Sequence, residues 1–138
     1  MGPGVNQLKG FGMSYTIDDL NRAITKQYDE EFDGDFEYYD DAGSAEWHGL
    51  EEDIYSFRKD QDVTAELEGI GTVRLIESEG GEGQGDSYSM VISVTDAEGS
   101  VRLFERLGWY ASYDGGHYEG PTVEVKPVEK LITVYETI

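Results

Sequence analysis

Between Gln27 and Phe57 the chain carries twelve Asp or Glu and not one Lys or Arg. Carboxylates about 7 Å apart in water repel by roughly 0.6 kcal/mol per pair, so a dozen of them oppose compaction by a few kcal/mol. That is a sizeable share of the roughly 5–15 kcal/mol by which a small domain is stable. The densest part, Asp29 to Asp41, has eight acids in thirteen residues. It is expected to be an acidic loop, not the interior of a helix or strand.

The charge extends to the whole protein, which sets 30 Asp+Glu against 10 Lys+Arg over 138 residues, a net −20. The length suits a single α+β domain, residues 13–138, with the Gly-rich first twelve residues expected to be a mobile leader. Scattered bases argue against direct nucleic-acid binding and against anionic membrane surfaces. No Cys and two His, His48 and His117, argue against disulfides and zinc sites, and no cofactor is expected. No apolar run approaches the ~18 residues of a membrane span, and MGPGVNQLKGFG lacks the apolar centre of a signal peptide, so a cytoplasmic protein is expected.

Periodicity divides the chain near Asp62. Before it, Ile17, Leu20, Ile24 and Tyr28 follow helical spacing behind a capping Thr16. Asp18 and Asp19 open that segment and Lys26 closes it, in agreement with the helix dipole, so a helix is expected over 17–28. Tyr15 and Leu20 can form a hydrophobic staple across its start. Trp47, Leu50, Ile54 and Phe57 predict a second amphipathic helix within 44–59, weakened by Gly49.

After Asp62 the apolar period becomes two. Val63 to Leu75 reads as one long strand bent at Gly69-Ile70-Gly71, residues 77–87 as a flexible loop, and Ser89 to Thr95 as a strand ending in an Asp96–Gly99 turn. In the next strand Val101, Leu103, Leu107 and Trp109 fall on one side, expected to be the buried one, and Arg102 and Arg106 on the other. Asp114-Gly115-Gly116 marks a turn, and a last strand is expected from Thr122 to about Glu136, kinked at Pro127. The expected fold is α+β: two N-terminal helices packed on a four-stranded, bent antiparallel β meander.

The acidic segment is also rich in rings. Residues 27–57 hold eight of the 17 aromatics, which a purely solubilising tail would lack. Carboxylates interleaved with rings can meet Arg and Lys by ion pairing and stacking together. The expected partner surface is Asp29, Glu30, Glu31, Asp33, Asp35, Glu37, Asp40 and Asp41, continued by Glu51, Glu52 and Asp53, with Tyr38, Tyr39 and Trp47 as anchors. Its natural target is a basic, nucleic-acid-handling surface on another protein, so the protein reads as a non-enzymatic binding protein that imitates nucleic acid. A solvated acidic face around ordinary helix packing is the plain alternative.

A second alternative is calcium binding. Asp29 to Asp40 places oxygens at positions one, three, five, nine and twelve of a loop with Gly34 at six, similar to a degenerate EF-hand. Glu31, Asp40 and Gly43 depart from that pattern. Enzymatic chemistry lacks a recognisable constellation: GGEGQG, residues 80–85, has no Lys and precedes a strand, and His48 and His117 read as packing or surface residues.

The stretch GWYASYDGGHYEGPTVEVKPVEKLITVYE, residues 108–136, resembles the ends of small, functionally unassigned proteins of actinobacterial bacteriophages. The resemblance covers about a fifth of the chain and carries no functional residues across. It implies a phage origin, under which a small acidic protein would act on host machinery, including by imitating nucleic acid; an immunity protein against a nuclease toxin is the alternative with the same charge character. The oligomeric state is open on sequence alone.

Overall fold

The computed structural model describes residues 15–29, 43–58, 60–81, 83 and 85–138. Helix α1 spans Ile17–Tyr28 and α2 spans Ser44–Ile54, followed by β1 (Ala65–Leu67), β2 (Gly71–Gly80), β3 (Ser87–Thr95), β4 (Val101–Ala111), β5 (Gly115–His117) and β6 (Thr122–Val125). The strands form one antiparallel sheet in the order β1-β2-β3-β4-β5, and β6 pairs with β4 alongside β5. The class is α+β with two helices on a curled antiparallel sheet. Six strands replace the expected four. The expected leader, residues 1–12, lies outside the described residues.

Helix α1 has its expected bounds. The Thr16 side chain accepts from the Asp19 N–H, and the Asp19 carboxylate accepts from the Thr16 N–H at 2.9 Å. This reciprocal cap satisfies two donors that a helix start otherwise leaves open. Helix α2 stops at Ile54, short of the expected 59: the Ser56 hydroxyl accepts from the Arg58 N–H and fixes a turn there. Phe57 consequently leaves the apolar stripe and is exposed. Gly49 turns out to be a packing device, since a Cβ there would lie 2.9 Å from the Tyr28 ring of α1.

Leu20, Ile24, Trp47, Leu50 and Ile54 from the helices meet Val73, Met90, Ile92, Val94 and Phe104 from the sheet in one buried core. Ala65 pairs with Val73, so the expected single bent strand is a tight β1–β2 hairpin. Its turn is closed by the Ile70 N–H donating to the Leu67 carbonyl, and Gly69 supplies φ +78°. Strand β2 continues to Gly80, paired with Tyr88, so much of the expected 77–87 loop is strand. A bulge interrupts that ladder between Leu75 and Glu77.

The turn at Asp96 is as expected: its Oδ1 accepts from the Glu98 and Ser100 N–H groups, and Gly99 takes φ +87°. Strand β4 presents the face opposite to expectation. Phe104 pairs with Ile92 and Arg106 with Met90, so Arg102, Phe104 and Arg106 face the core while Val101, Leu103, Leu107 and Trp109 face outward. The two arginines tolerate this side because their donors are used. Arg102 binds both Glu124 oxygens, at 2.8 and 3.0 Å, and donates to the Tyr15 carbonyl at 2.6 Å. Its guanidinium also lies over the Tyr15 ring at 4.4 Å, clamping the start of α1 to β4 and β6. The hydrogen bond from Arg102 holds the Glu124 carboxyl below the usual carboxylate range.

The last strand ends at Val125, not near Glu136. Residues 126–138 have neither strand nor helix structure. Among the described residues no helix is long and apolar enough to cross a membrane.

Candidate functional site

The two helices bracket the acidic segment and are locked to each other on either side of it. Trp47 Nε1 donates to Asn21 Oδ1 at 3.1 Å in the core, and the Tyr28 hydroxyl donates to Asp53 Oδ2 at 2.7 Å. Asp29 caps α1, its N–H donating to the Thr25 carbonyl, and the Gly43 N–H donates to Glu46 Oε1 at the start of α2. The residues that flank the segment, Asp29 and Gly43, are therefore each tied to the helix they adjoin.

The structure divides the expected partner residues. Glu30, Glu31, Asp33, Asp35, Glu37, Tyr38, Tyr39, Asp40 and Asp41 lie outside the described residues. So does most of the calcium-loop reading, of which only Asp29 is described. Glu52 and Asp53 are exposed on α2. Trp47 is fully buried, which removes it from any surface anchor role; an indole with its N–H already used by Asn21 belongs to the core.

Glu51 turns away from solvent into a cluster that the sequence did not reveal. Its Oε2 accepts from the Tyr118 hydroxyl at 2.8 Å, and its Oε1 lies 3.6 Å from His48 Nδ1. His48 Nε2 sits 3.0 Å from the Gly116 carbonyl, which calls for the proton on Nε2. The His48, Tyr88 and Tyr118 rings pack with centroids 4.6–6.2 Å apart, and Tyr110 stacks on Tyr88. Ser44 Oγ accepts from the Tyr118 N–H at 2.8 Å. Three of these contacts, Glu51–Tyr118, His48–Gly116 and Ser44–Tyr118, tie α2 to β5 and the residue after it, and the arrangement is a structural clasp. Tyr88 and Tyr118 are thirty residues apart on different elements, so no local spacing announces their contact.

Gly116 belongs to the clasp because a Cβ on it would collide with the Tyr88 ring. Gly116→Ala is expected to lower stability by about 1–3 kcal/mol, read by urea denaturation, since the ring is held between Tyr110 and Tyr118 and has little room to move. An unchanged midpoint would show that the cluster is loose.

The phenols record their surroundings. Burial raises the pKa of Tyr118 and Tyr28 well above the ordinary range, reinforced by the carboxylates of Glu51 and Asp53. Burial also raises Tyr15 and Tyr88. A phenol raised in the fold contributes stability in full below its unfolded value of about 10, and that contribution is lost as pH rises through the folded value. In a spectrophotometric titration, these four of the ten tyrosines should therefore ionise at higher pH than a free phenol, Tyr28 and Tyr118 last. Ten tyrosines ionising together in a still-folded protein would contradict this environment.

Five cations among the described residues each meet a carboxylate outside residues 27–57. Arg22 meets Asp19, Lys26 meets Glu68, Arg58 meets Asp60, Arg74 meets Asp62, and Arg102 meets Glu124, at 2.8–3.8 Å. Arg106 is buried and donates to the Tyr118 carbonyl and the Thr122 hydroxyl. Among the described residues no group of three or more His, Asp or Glu is arranged to hold a metal ion.

No family model, curated protein or solved structure matches the chain.

Proposed function

We propose that the protein is a non-enzymatic acidic binding protein whose surface between α1 and α2 docks on a basic, nucleic-acid-handling protein in place of nucleic acid. The observation that carries this reading is charge segregation: residues 27–57 hold twelve acids and no Lys or Arg. Glu52 and Asp53 place part of that charge on the exposed side of α2. A run of carboxylates between two helices that are locked together concentrates negative potential, which raises association rates with a positive surface and favours partners built to accept phosphates. In the phage setting suggested by residues 108–136, the partner is a host protein in the host cytoplasm, which the chain inhibits or modulates.

The test is a pull-down from actinobacterial lysate, eluted between about 0.05 and 0.5 M salt and, separately, with duplex DNA. Release of a DNA- or RNA-handling protein by both eluants supports the proposal. Partners retained at high salt and indifferent to DNA overturn it.

A further inference from the structure

The outward face of the sheet is apolar over β4 and β6. Cross-strand pairing places Val91, Leu103, Leu107, Trp109, Val123 and Val125 on it, around the carboxylate of Glu105, which pairs with both Val91 and Val123, while on the β2 side Arg74, Glu77 and Glu79 pair with Ser93, Val91 and Ser89 of the same face. Both helices pack on the opposite face, and no described helix or strand covers this one. An antiparallel sheet commonly has one apolar and one polar face; apolar residues on both sides mark a sheet meant to be covered twice.

The same chain carries an exposed apolar arm, residues 126–138. Val128, Leu131, Ile132, Val134, Tyr135 and Ile138 are each at least 70% exposed, and Leu131 and Ile138 are fully so. The arm begins directly after Val125, whose side chain lies on the outer face. Its thirteen residues span roughly 40 Å when extended, enough to leave one sheet and cross another whose strands lie about 4.8 Å apart.

Charge selects the occupant. Lys126 and Lys130 balance Glu129 and Glu136, so the arm is neutral and the −20 resides on the rest of the chain. Copies of so acidic a protein repel over most of their surface; the arm and the β4–β6 part of the outer face are regions of low charge through which they can meet. The lysines of the arm also complement Glu105 and Glu77, the acids on either side of Val91.

We propose that residues 126–138 of one copy lie across the outer sheet face of a second copy, giving an arm-exchanged, two-fold dimer with a lysine of each arm near Glu105 of its partner. Each chain then supplies what the other lacks, the self-complementarity that a two-fold interface requires. Twelve large apolar side chains from the two arms would leave water. The inference is independent of the acidic surface.

Sedimentation velocity of the full chain in about 0.3 M salt, where charge repulsion is screened, should give twice the 15.4 kDa monomer mass. An arm variant, Leu131→Asp with Val134→Asp, should weaken dimerisation at least tenfold with an unchanged circular dichroism spectrum, because both side chains are largely exposed within one copy. A face variant, Leu103→Lys with Leu107→Lys, should do the same. Mixing the two variants should restore a dimer, since one intact arm then meets one intact face. A full chain that is monomeric at about 200 µM, or a dimer indifferent to the arm variant, overturns the inference, as does failure of the mixed variants to associate. Loss of apolar-dye exclusion at the face on deleting residues 1–14 would assign the face to that segment instead.

Discussion

Replacing Arg106 by Ala is expected to destabilise the domain by about 3–5 kcal/mol, enough to leave it partly unfolded at physiological temperature. The side chain is 1% exposed. Its Nε donates to the Tyr118 carbonyl and its NH1 to the Thr122 hydroxyl, each at 2.8 Å, and its guanidinium lies 5.2 Å from the centroid of Trp47. A Cβ on Gly120 would come within 3.1 Å of it, so the backbone there is shaped around the group. Truncation opens a cavity in the core and leaves a buried carbonyl and hydroxyl without their donor, each worth roughly 1–3 kcal/mol. Arg106→Met, which keeps most of the volume, should recover part of the packing and leave a cost of about 2 kcal/mol. Urea denaturation measures both. A methionine variant as stable as the parent would show that Arg106 fills space and that its hydrogen bonds contribute nothing net.

Replacing Asp33, Asp35, Asp40 and Asp41 by Asn should have opposite effects on stability and on binding. Four like charges leave the densest part of the chain, so the melting temperature should stay level or rise, and its increase with added salt should become smaller. Association with the basic partner should slow by about tenfold or more, because complementary charge acts chiefly on the rate of encounter. The combination is diagnostic: an acidic loop that merely solubilises the protein would give the first effect without the second.

What was legible in the sequence follows from how local each signal is. Thr16 with Asp19, and Asp96 with Gly99, are complete within a few residues, and the structure has α1 and the β3–β4 turn where they were expected. The face of β4 was not legible. Alternation shows that Val101, Leu103 and Leu107 share a side, but not which side the helices cover, and the arginines opposite them look like solvent-facing residues. They are held inside by Glu124, Tyr118 and Thr122, twelve to twenty-two positions away, which no pattern within the strand reports. The end of β6 has a similar cause. Residues 128–136 are as strand-like as Thr122–Val125, but β4 pairs with β6 only from Leu103 to Arg106, opposite Val125 to Thr122, and among the described residues the arm pairs with no strand.

The expected site was legible in charge and only partly in geometry. Glu52 and Asp53 are on the surface as expected. Trp47 follows the same apolar stripe as Leu50 and Ile54 and is core for that reason. Glu51 is drawn inward by Tyr118 and His48, partners that the fold brings from another element and from the preceding turn.

The central claim is that the carboxylates between α1 and α2 form a docking surface, and it is tested most directly by the salt dependence of affinity for the captured partner. If they do, log affinity falls linearly with log salt for the parent, and the four-Asn variant shows both weaker binding and a shallower slope. Equal affinity and equal slope for parent and variant would contradict the account and leave the acidic segment as a solvated covering on the fold.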